Sequence, residues 1–155
     1  MKELVLVSGS GRGLGSSIAK SFAANGYKVA VNYFKSEEKA HKLCDELGND
    51  TCAFSADVSN QTEVKKMISD INDKFNQSPS ILVNNAMTEY VFNGDARKFA
   101  DEISWEEISN HLDVTLKGSL NLIQALIPSM KKNSHGRIIN TVSYTHLRAH
   151  ETFRY

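Results

Sequence analysis

The sequence predicts an α/β fold, a doubly wound parallel sheet that stops short of completion. Three observations carry this. Short apolar runs alternate with amphipathic helical stretches from the start of the chain, a pattern that needs crossovers between parallel strands. The first run, Leu4 to Val7, ends in a turn with glycines at Gly9, Gly13 and Gly15. The alternation then fails after about Val142, where a further helix and strand are needed to finish such a sheet.

After the opening turn, Leu14, Ile18, Phe22 and Ala23 share one helical face, and Asn25-Gly26 supplies the stop. Lys28 to Tyr33 (KVAVNY) reads as a second strand. Ser36 is placed to cap the next helix, with Glu37 and Glu38 in the first turn, where the helix dipole favours acids. That helix runs to about Leu47 and stops at Gly48-Asn49. A third strand, Thr51 to Ser55, leads into Asp57-Val58-Ser59, and Val64, Met67, Ile68, Ile71 and Phe75 then keep a helical beat. Pro79 introduces a fourth strand, Ile81 to Asn84.

From Met87 to Ser104 the chain reads as irregular, with a turn at Phe92-Asn93-Gly94-Asp95. A long loop at the carboxyl edge of a sheet is either functional or a surface excursion. Trp105 to Lys132 is a long helical stretch with a wide stripe at Ile108, Leu112, Leu116, Ser119, Leu120, Ile123 and Ile127. The stripe is expected to cover the sheet, and it suits contact with a second subunit. Pro128 is expected to tighten or kink its end. His135-Gly136 turns the chain into a fifth strand, Arg137 to about Val142.

Composition excludes several classes. The 155 residues suit one domain with room for a core, and 18 basic against 18 acidic side chains leave zero net charge. There is no basic stripe for nucleic acid and no acidic tail. The apolar runs are too short to span a membrane, and because Met1 leads straight into the first strand no signal peptide is expected. Cys44 and Cys52 lack metal spacing, so partly buried, reduced thiols in a cytoplasmic protein are expected, with no metal.

The glycine cluster has the form of a strand that stops beneath a phosphate group and hands over to a helix N-terminus. A β-carbon would keep the backbone from a pyrophosphate there. A triphosphate-binding loop needs Lys after its last glycine, and Ser16 stands in that place.

Ser8-Gly9-Ser10-Gly11-Arg12-Gly13-Leu14-Gly15, Asp57-Val58 and Asn84-Asn85-Ala86 together resemble the motifs of the short-chain dehydrogenase/reductase family, over about residues 1 to 141. The resemblance implies a Rossmann-type dinucleotide site built from Gly9, Ser10, Arg12, Gly13, Leu14 and Gly15. It also implies that Asp57 and Val58 hold the adenine ring, the alternative for Asp57 being a helix cap. Asn84, Asn85 and Ala86 would lie on the ribose side, with Met87 in place of the family's usual glycine. No acid stands at the end of the second strand, near Tyr33, to grip ribose hydroxyls, whereas Arg12 and Lys35 are placed to face a 2′-phosphate. NADP is therefore favoured over NAD.

The catalytic set matches less well. Val114-Thr115-Leu116-Lys117-Gly118 aligns with a family segment that carries Asn where Thr115 stands. Ser143 falls where the substrate-orienting Ser is expected. Tyr155 is near the position of the acid/base Tyr, but no Lys follows it to lower its pKa. Val142 to Thr152 (VSYTHLRAHET) reads as the translation of a transposon-end and primer adapter used in preparing sequencing libraries. Native sequence is thus expected to end near Thr141, with 142–155 a non-native tail and the Ser143 match an accident of its frame.

The implied parent is an NADP-dependent reductase acting on a carbonyl or alcohol. Within the family the chain looks most like reductases of 3-oxoacyl thioesters on acyl carrier protein, through Val31-Asn32-Tyr33, Ser36-Glu37-Glu38 and Leu120-Asn121-Leu122-Ile123-Gln124-Ala125. The intact protein is expected to be a homo-oligomer, and the present chain inactive. The alternative is a nucleotide-binding regulatory or structural protein of the same fold without catalysis.

Overall fold

Alternation along each strand divides its side chains between two helical layers, and this division organises the molecule. The computed structural model describes residues 2–88, 98–99 and 101–142. Strands β1 (Leu4–Val7), β2 (Lys28–Tyr33), β3 (Thr51–Ser55), β4 (Ile81–Asn84) and β5 (Arg137–Asn140) form one parallel sheet in the order β3-β2-β1-β4-β5. In β1, Val5 and Val7 face a layer made by α1 (Gly13–Ala24) and α2 (Glu37–Leu47), with Val29, Val31, Ala19, Ala40 and Leu43. Leu4 and Leu6 face the opposite layer, made by α3 (Gln61–Phe75) and α5 (Gly118–Lys132), with Met67, Ile71, Leu122 and Leu126. All four β1 residues are buried, as a central strand covered on both faces requires. The predicted doubly wound sheet is therefore what forms.

Helix boundaries follow local chemistry. Gly26 and Gly48 take positive φ just past α1 and α2, relieving a strain that a β-carbon would impose. Asn60 caps α3, its side chain accepting from the Thr62 and Glu63 amides at 3.0 and 3.3 Å. Ser36 holds the cap position of α2, but its hydroxyl makes no cap bond. α4 (Trp105–Leu112) begins with a reciprocal capping box between Ser104 and Glu107. Glu107 is held at a pKa of about 2, first by Lys98 and then by the Ser104 amide.

The long helical stretch departs from expectation in two ways. A π-helical turn, Asp113–Lys117, joins α4 to α5, so the stretch is not uniform. That extra width rotates the faces, and α5 presents Gly118, Asn121, Leu122, Leu126 and Met130 to the core. The predicted stripe meets the core only in part: Ile123 packs against it, while Ile108, Leu112, Leu116 and Leu120 are exposed, Leu116 by 68%. Pro128 lies inside α5, which continues to Lys132.

Among the described residues β5 has a partner strand on one side only, β4, and all four of its residues are exposed. The predicted turn at 92–95 lies outside the described residues. Cys44 and Cys52 are free and half-buried, and burial pushes the Cys44 thiol up to about 11. Among the described residues no group of side chains could hold a metal, and no helix is long and apolar enough to cross a membrane.

Candidate functional site

In this strand order the chain winds outward through β1, β2 and β3, then crosses back to β4 and β5. The reversal leaves a crevice at the carboxyl ends of β1 and β4, the place where open α/β sheets bind ligands. The glycine turn leaves β1 at this point, and Asn85-Ala86 leaves β4 beside it.

Hydrogen bonds sew the two segments together. The Ser8 hydroxyl accepts from the backbone N–H groups of Asn85 and Ala86 at 2.9 and 3.0 Å. The Asn85 side chain donates back to the carbonyls of Ser8 and Gly9 at 3.0 and 3.3 Å. The approach is close enough to demand glycine. A β-carbon on Gly9, at φ +61°, would stand 2.8 Å from Ala86 Cα. One on Gly15 would stand 2.5 Å from the Gly9 carbonyl oxygen and 2.8 Å from Ser10 Cα. The turn thus packs against α1 and β4 at backbone distance, leaving the first N–H groups of α1 without intrahelical partners.

Ser10 is buried, its hydroxyl donating to the Val7 carbonyl at 2.7 Å, so it holds the turn from within. Arg12, Gly13 and Leu14 are exposed on the outer side, Leu14 by 65%. Gly11 brings the turn against the loop after β2, where a β-carbon would meet the Ser36 hydroxyl at 2.3 Å. That loop presents Phe34 and Lys35, both exposed, with the Lys35 ammonium 5.8 Å from the Phe34 ring centroid. Tyr33 is turned under α2, its hydroxyl donating to Glu37 at 3.4 Å. Burial first, and then Glu37, raise the Tyr33 pKa.

Asp57 and Val58 follow β3 on the same edge. Asp57 Oδ1 accepts from the Ser59 amide and hydroxyl at 2.9 and 2.7 Å, a local turn just ahead of the Asn60 cap. Val58 is buried, and a β-carbon on Gly118 would lie 2.6 Å from its Cγ2. Gly118 thereby lets α5 settle onto this segment, and Asn121 fixes it by donating to the Val58 carbonyl at 2.9 Å.

Asn84 is also buried. Its amide donates to Asn140 Oδ1 at 2.8 Å across β4 and β5, while its own Oδ1 has no partner among the described residues. Met87 is exposed by 65% where the family carries glycine. Thr115 lies on the π-helical turn, exposed, with its hydroxyl donating to the His111 carbonyl at 2.5 Å. The His111 ring pairs in turn with the Thr88 hydroxyl just past β4. Ser143 and Tyr155 lie outside the described residues.

The structure therefore gathers the Gly9–Gly15 turn, Lys35, Asp57-Val58 and Asn84–Ala86 along one edge of the sheet. Sequence reasoning gave no site role to Ser8, Gly11, Asn32 or Gly118. The available signal was strongest at Asn32, an amide within an otherwise apolar strand.

The comparisons with known proteins bear on the family and the fold. Residues 3–153 match the family described as short chain dehydrogenase. The chain is 38% identical over 146 residues to the 3-oxoacyl-(acyl-carrier-protein) reductase FabG of Staphylococcus aureus, covering 92% of itself and 56% of that protein. It is 33% identical over 141 residues to the NADPH-dependent pterin aldehyde reductase of Arabidopsis thaliana, covering 90% of itself and 55% of that protein. The crystal structure of a 3-ketoacyl-(acyl-carrier-protein) reductase from Brucella melitensis, complexed with NADH, superposes with a TM-score of 0.82 at 28% identity. That alignment covers 91% of this chain and 57% of the other. The chain spans little more than half the length of these relatives. With its motifs on one edge of a parallel sheet, it belongs to the short-chain dehydrogenase family.

Proposed function

We propose that this chain is the cofactor-binding part of an NADP-dependent reductase whose whole protein moves hydride between nicotinamide and a carbonyl or alcohol. A 3-oxoacyl thioester is the favoured substrate class, from the names of the relatives. The observation that carries the reading is the backbone-close stitching of the glycine turn to Asn85-Ala86 at the switch between β1 and β4. Without β-carbons at Gly9 and Gly15 the turn closes on β4 and α1, which would leave the N–H groups at the start of α1 facing a pyrophosphate at the switch point.

The residues present fit a dinucleotide. The N–H groups at the start of α1 would receive the pyrophosphate, and Arg12 and Lys35 a 2′-phosphate. Asp57 Oδ2 would accept from the adenine amine, and Asn85 and Ala86 would line the ribose side while buried Asn84 braces the end of β4. The nicotinamide, when bound, supplies the hydride. This chain's own part is to hold and orient that group. No Tyr-x-x-x-Lys is present in the sequence to donate the proton. We read residues 142–155 as a non-native tail, so the groups that complete catalysis would belong to the parent.

Titration of NADPH and NADH fluorescence against the chain tests the reading. NADPH is expected to bind at least about tenfold more tightly, and Arg12→Ala with Lys35→Ala to remove most of that preference. Equal affinity for the two would end the NADP assignment, and binding of neither would end the dinucleotide reading. Turnover of a small ketone with NADPH by this chain would overturn its proposed inactivity.

A second reading rests on Thr115. Its hydroxyl is spent on the carbonyl of its own helix, which gives no support to an amide-like role in a proton relay. A parent that binds the nucleotide without catalysis fits that observation, and the parent's downstream sequence separates the two by the presence or absence of Tyr-x-x-x-Lys.

A further inference from the structure

We propose that Asn32 is a positioning residue of the cofactor site, its buried amide clamping the glycine turn to the exit of β3. The inference rests on the dinucleotide reading above, and it fixes the spacing between the segments proposed to hold the pyrophosphate and adenine ends.

Asn32 is 2% exposed and shares its sheet face with Ala30, beneath α3. Its Oδ1 accepts from the Gly9 N–H at 3.1 Å, and its Nδ2 donates to the Ala56 carbonyl at 3.1 Å. Nδ2 also lies 3.3 Å from the Tyr33 carbonyl and 3.4 Å from Met67 Sδ. The main chain repeats the link, since the Asn32 carbonyl accepts from the Ser10 N–H at 2.8 Å and the Ala56 N–H donates to Tyr33 at 2.9 Å. Ala56 immediately precedes Asp57. One side chain thus joins the exit of β1 to the exit of β3 across β2.

The neighbours of this amide have fixed polarity, an N–H on one side and C=O groups on the other. They set the orientation of the amide, and they exclude its isosteres. Aspartate would satisfy Gly9 and oppose the Ala56 oxygen with like charge, and leucine would satisfy neither. Asn32 also occupies the N–H groups of Gly9 and Ser10. The donors left for an anion are then those of the first turn of α1. Both clamp bonds lie at the carboxyl edge, beside the crevice, which is where a residue that shapes a cofactor site must act.

Amide hydrogen exchange of the ligand-free chain is the first arm of the test. Gly9 and Ser10 are expected to exchange slowly in the wild type, and Gly9 to lose protection in Asn32→Ala. The second arm titrates NADPH and adenosine 2′-monophosphate, which lacks the pyrophosphate, at a temperature where the variant gives a native circular-dichroism spectrum. NADPH is expected to weaken about tenfold, and the monophosphate about twofold or less. If Asn32→Ala does not fold, Asn32→Val keeps strand propensity while losing both clamp bonds, and carries the same expectation. Unchanged NADPH affinity in a folded variant, or equal weakening of both ligands, overturns the proposal. Failure of the wild type to bind either ligand would sink the dinucleotide reading, and exchange at Gly9 would still decide the clamp.

Discussion

Replacing Gly15 by alanine tests whether the glycine turn is a close-packed cradle or merely a flexible link. The new β-carbon would stand 2.5 Å from the Gly9 carbonyl oxygen, 2.8 Å from Ser10 Cα and 2.5 Å from Asn85 Nδ2. Two of these atoms are main chain, so no rotamer change relieves the overlap, and the turn must part from α1 by about 1 Å to regain ordinary contact. Overpacking of this kind costs about 1–3 kcal/mol. The movement also breaks the Asn85 bond to Ser8, which is worth about 1 kcal/mol. Gly13 is the internal control. It has φ +58° with nothing within 4 Å of a β-carbon, so alanine there meets only the left-handed backbone penalty, about 1–2 kcal/mol. Urea unfolding followed by circular dichroism, with NADPH titration of the folded population, separates the two. Gly15→Ala is expected to be the more destabilising and to weaken NADPH strongly. A Gly13→Ala variant as unstable as Gly15→Ala would refute the packing argument, because overlap at Gly15, which has no positive φ, would then cost no more than backbone strain alone does at Gly13.

Further expectations concern the periphery. Ser104→Ala removes the capping box of α4 and should cost about 1 kcal/mol in urea unfolding; no loss would mean that α4 adds little to global stability. Glu3 ties the start of β1 to the turn before β5, and its carboxyl is held below the ordinary 4.5 first by His135, against burial, and then by Arg137. A lowered folded-state pKa gives stabilisation that is present above the ordinary value and lost as pH falls through the folded one. Exposure limits it to less than about 1 kcal/mol. Glu3→Gln should flatten the fall in melting temperature below about pH 4.5, and parallel acid profiles for variant and wild type would refute this. The edge of β5 that has no partner strand among the described residues, with Ile139 exposed by 43%, should make the chain prone to aggregate, with Ile139→Lys raising the soluble yield. A wild type that stays monomeric at high concentration would count against that expectation.

Much of this molecule was legible because its signals are local. Gly26 and Gly48 stop helices by their own backbone freedom, and the beat of Val64, Met67, Ile68, Ile71 and Phe75 names the buried face of α3 without reference to anything distant. The face of the long helix was not legible in this way. Both stripes of α4 and α5 are apolar, and the π-helical turn decides which one meets the sheet by adding width that no periodicity analysis assumes. The same holds for site residues whose reason is a distant partner. Gly118 is explained by Val58, Gly11 by Ser36, and Asn32 by two backbone groups on either side of its strand.

That contrast bears on what the missing catalytic residues can mean. A cofactor cradle is written in consecutive residues, because one turn and one helix start build most of it, so a chain covering 56% of a relative can carry it whole. A proton relay is assembled from separate elements and exists only when all of them are present. Thr115 shows the consequence. In this chain its hydroxyl donates to the His111 carbonyl, a local bond of the kind that threonines in helices commonly make. On the proposed reading that this chain is part of a longer reductase, the bond would be the resting state of an incomplete site, and the measurement that separates the two readings is the Thr115 hydroxyl's partner in the full-length parent. Retention of the His111 bond there would favour binding without catalysis. Its exchange for a partner in the cleft would make Thr115 a working substitute for the asparagine.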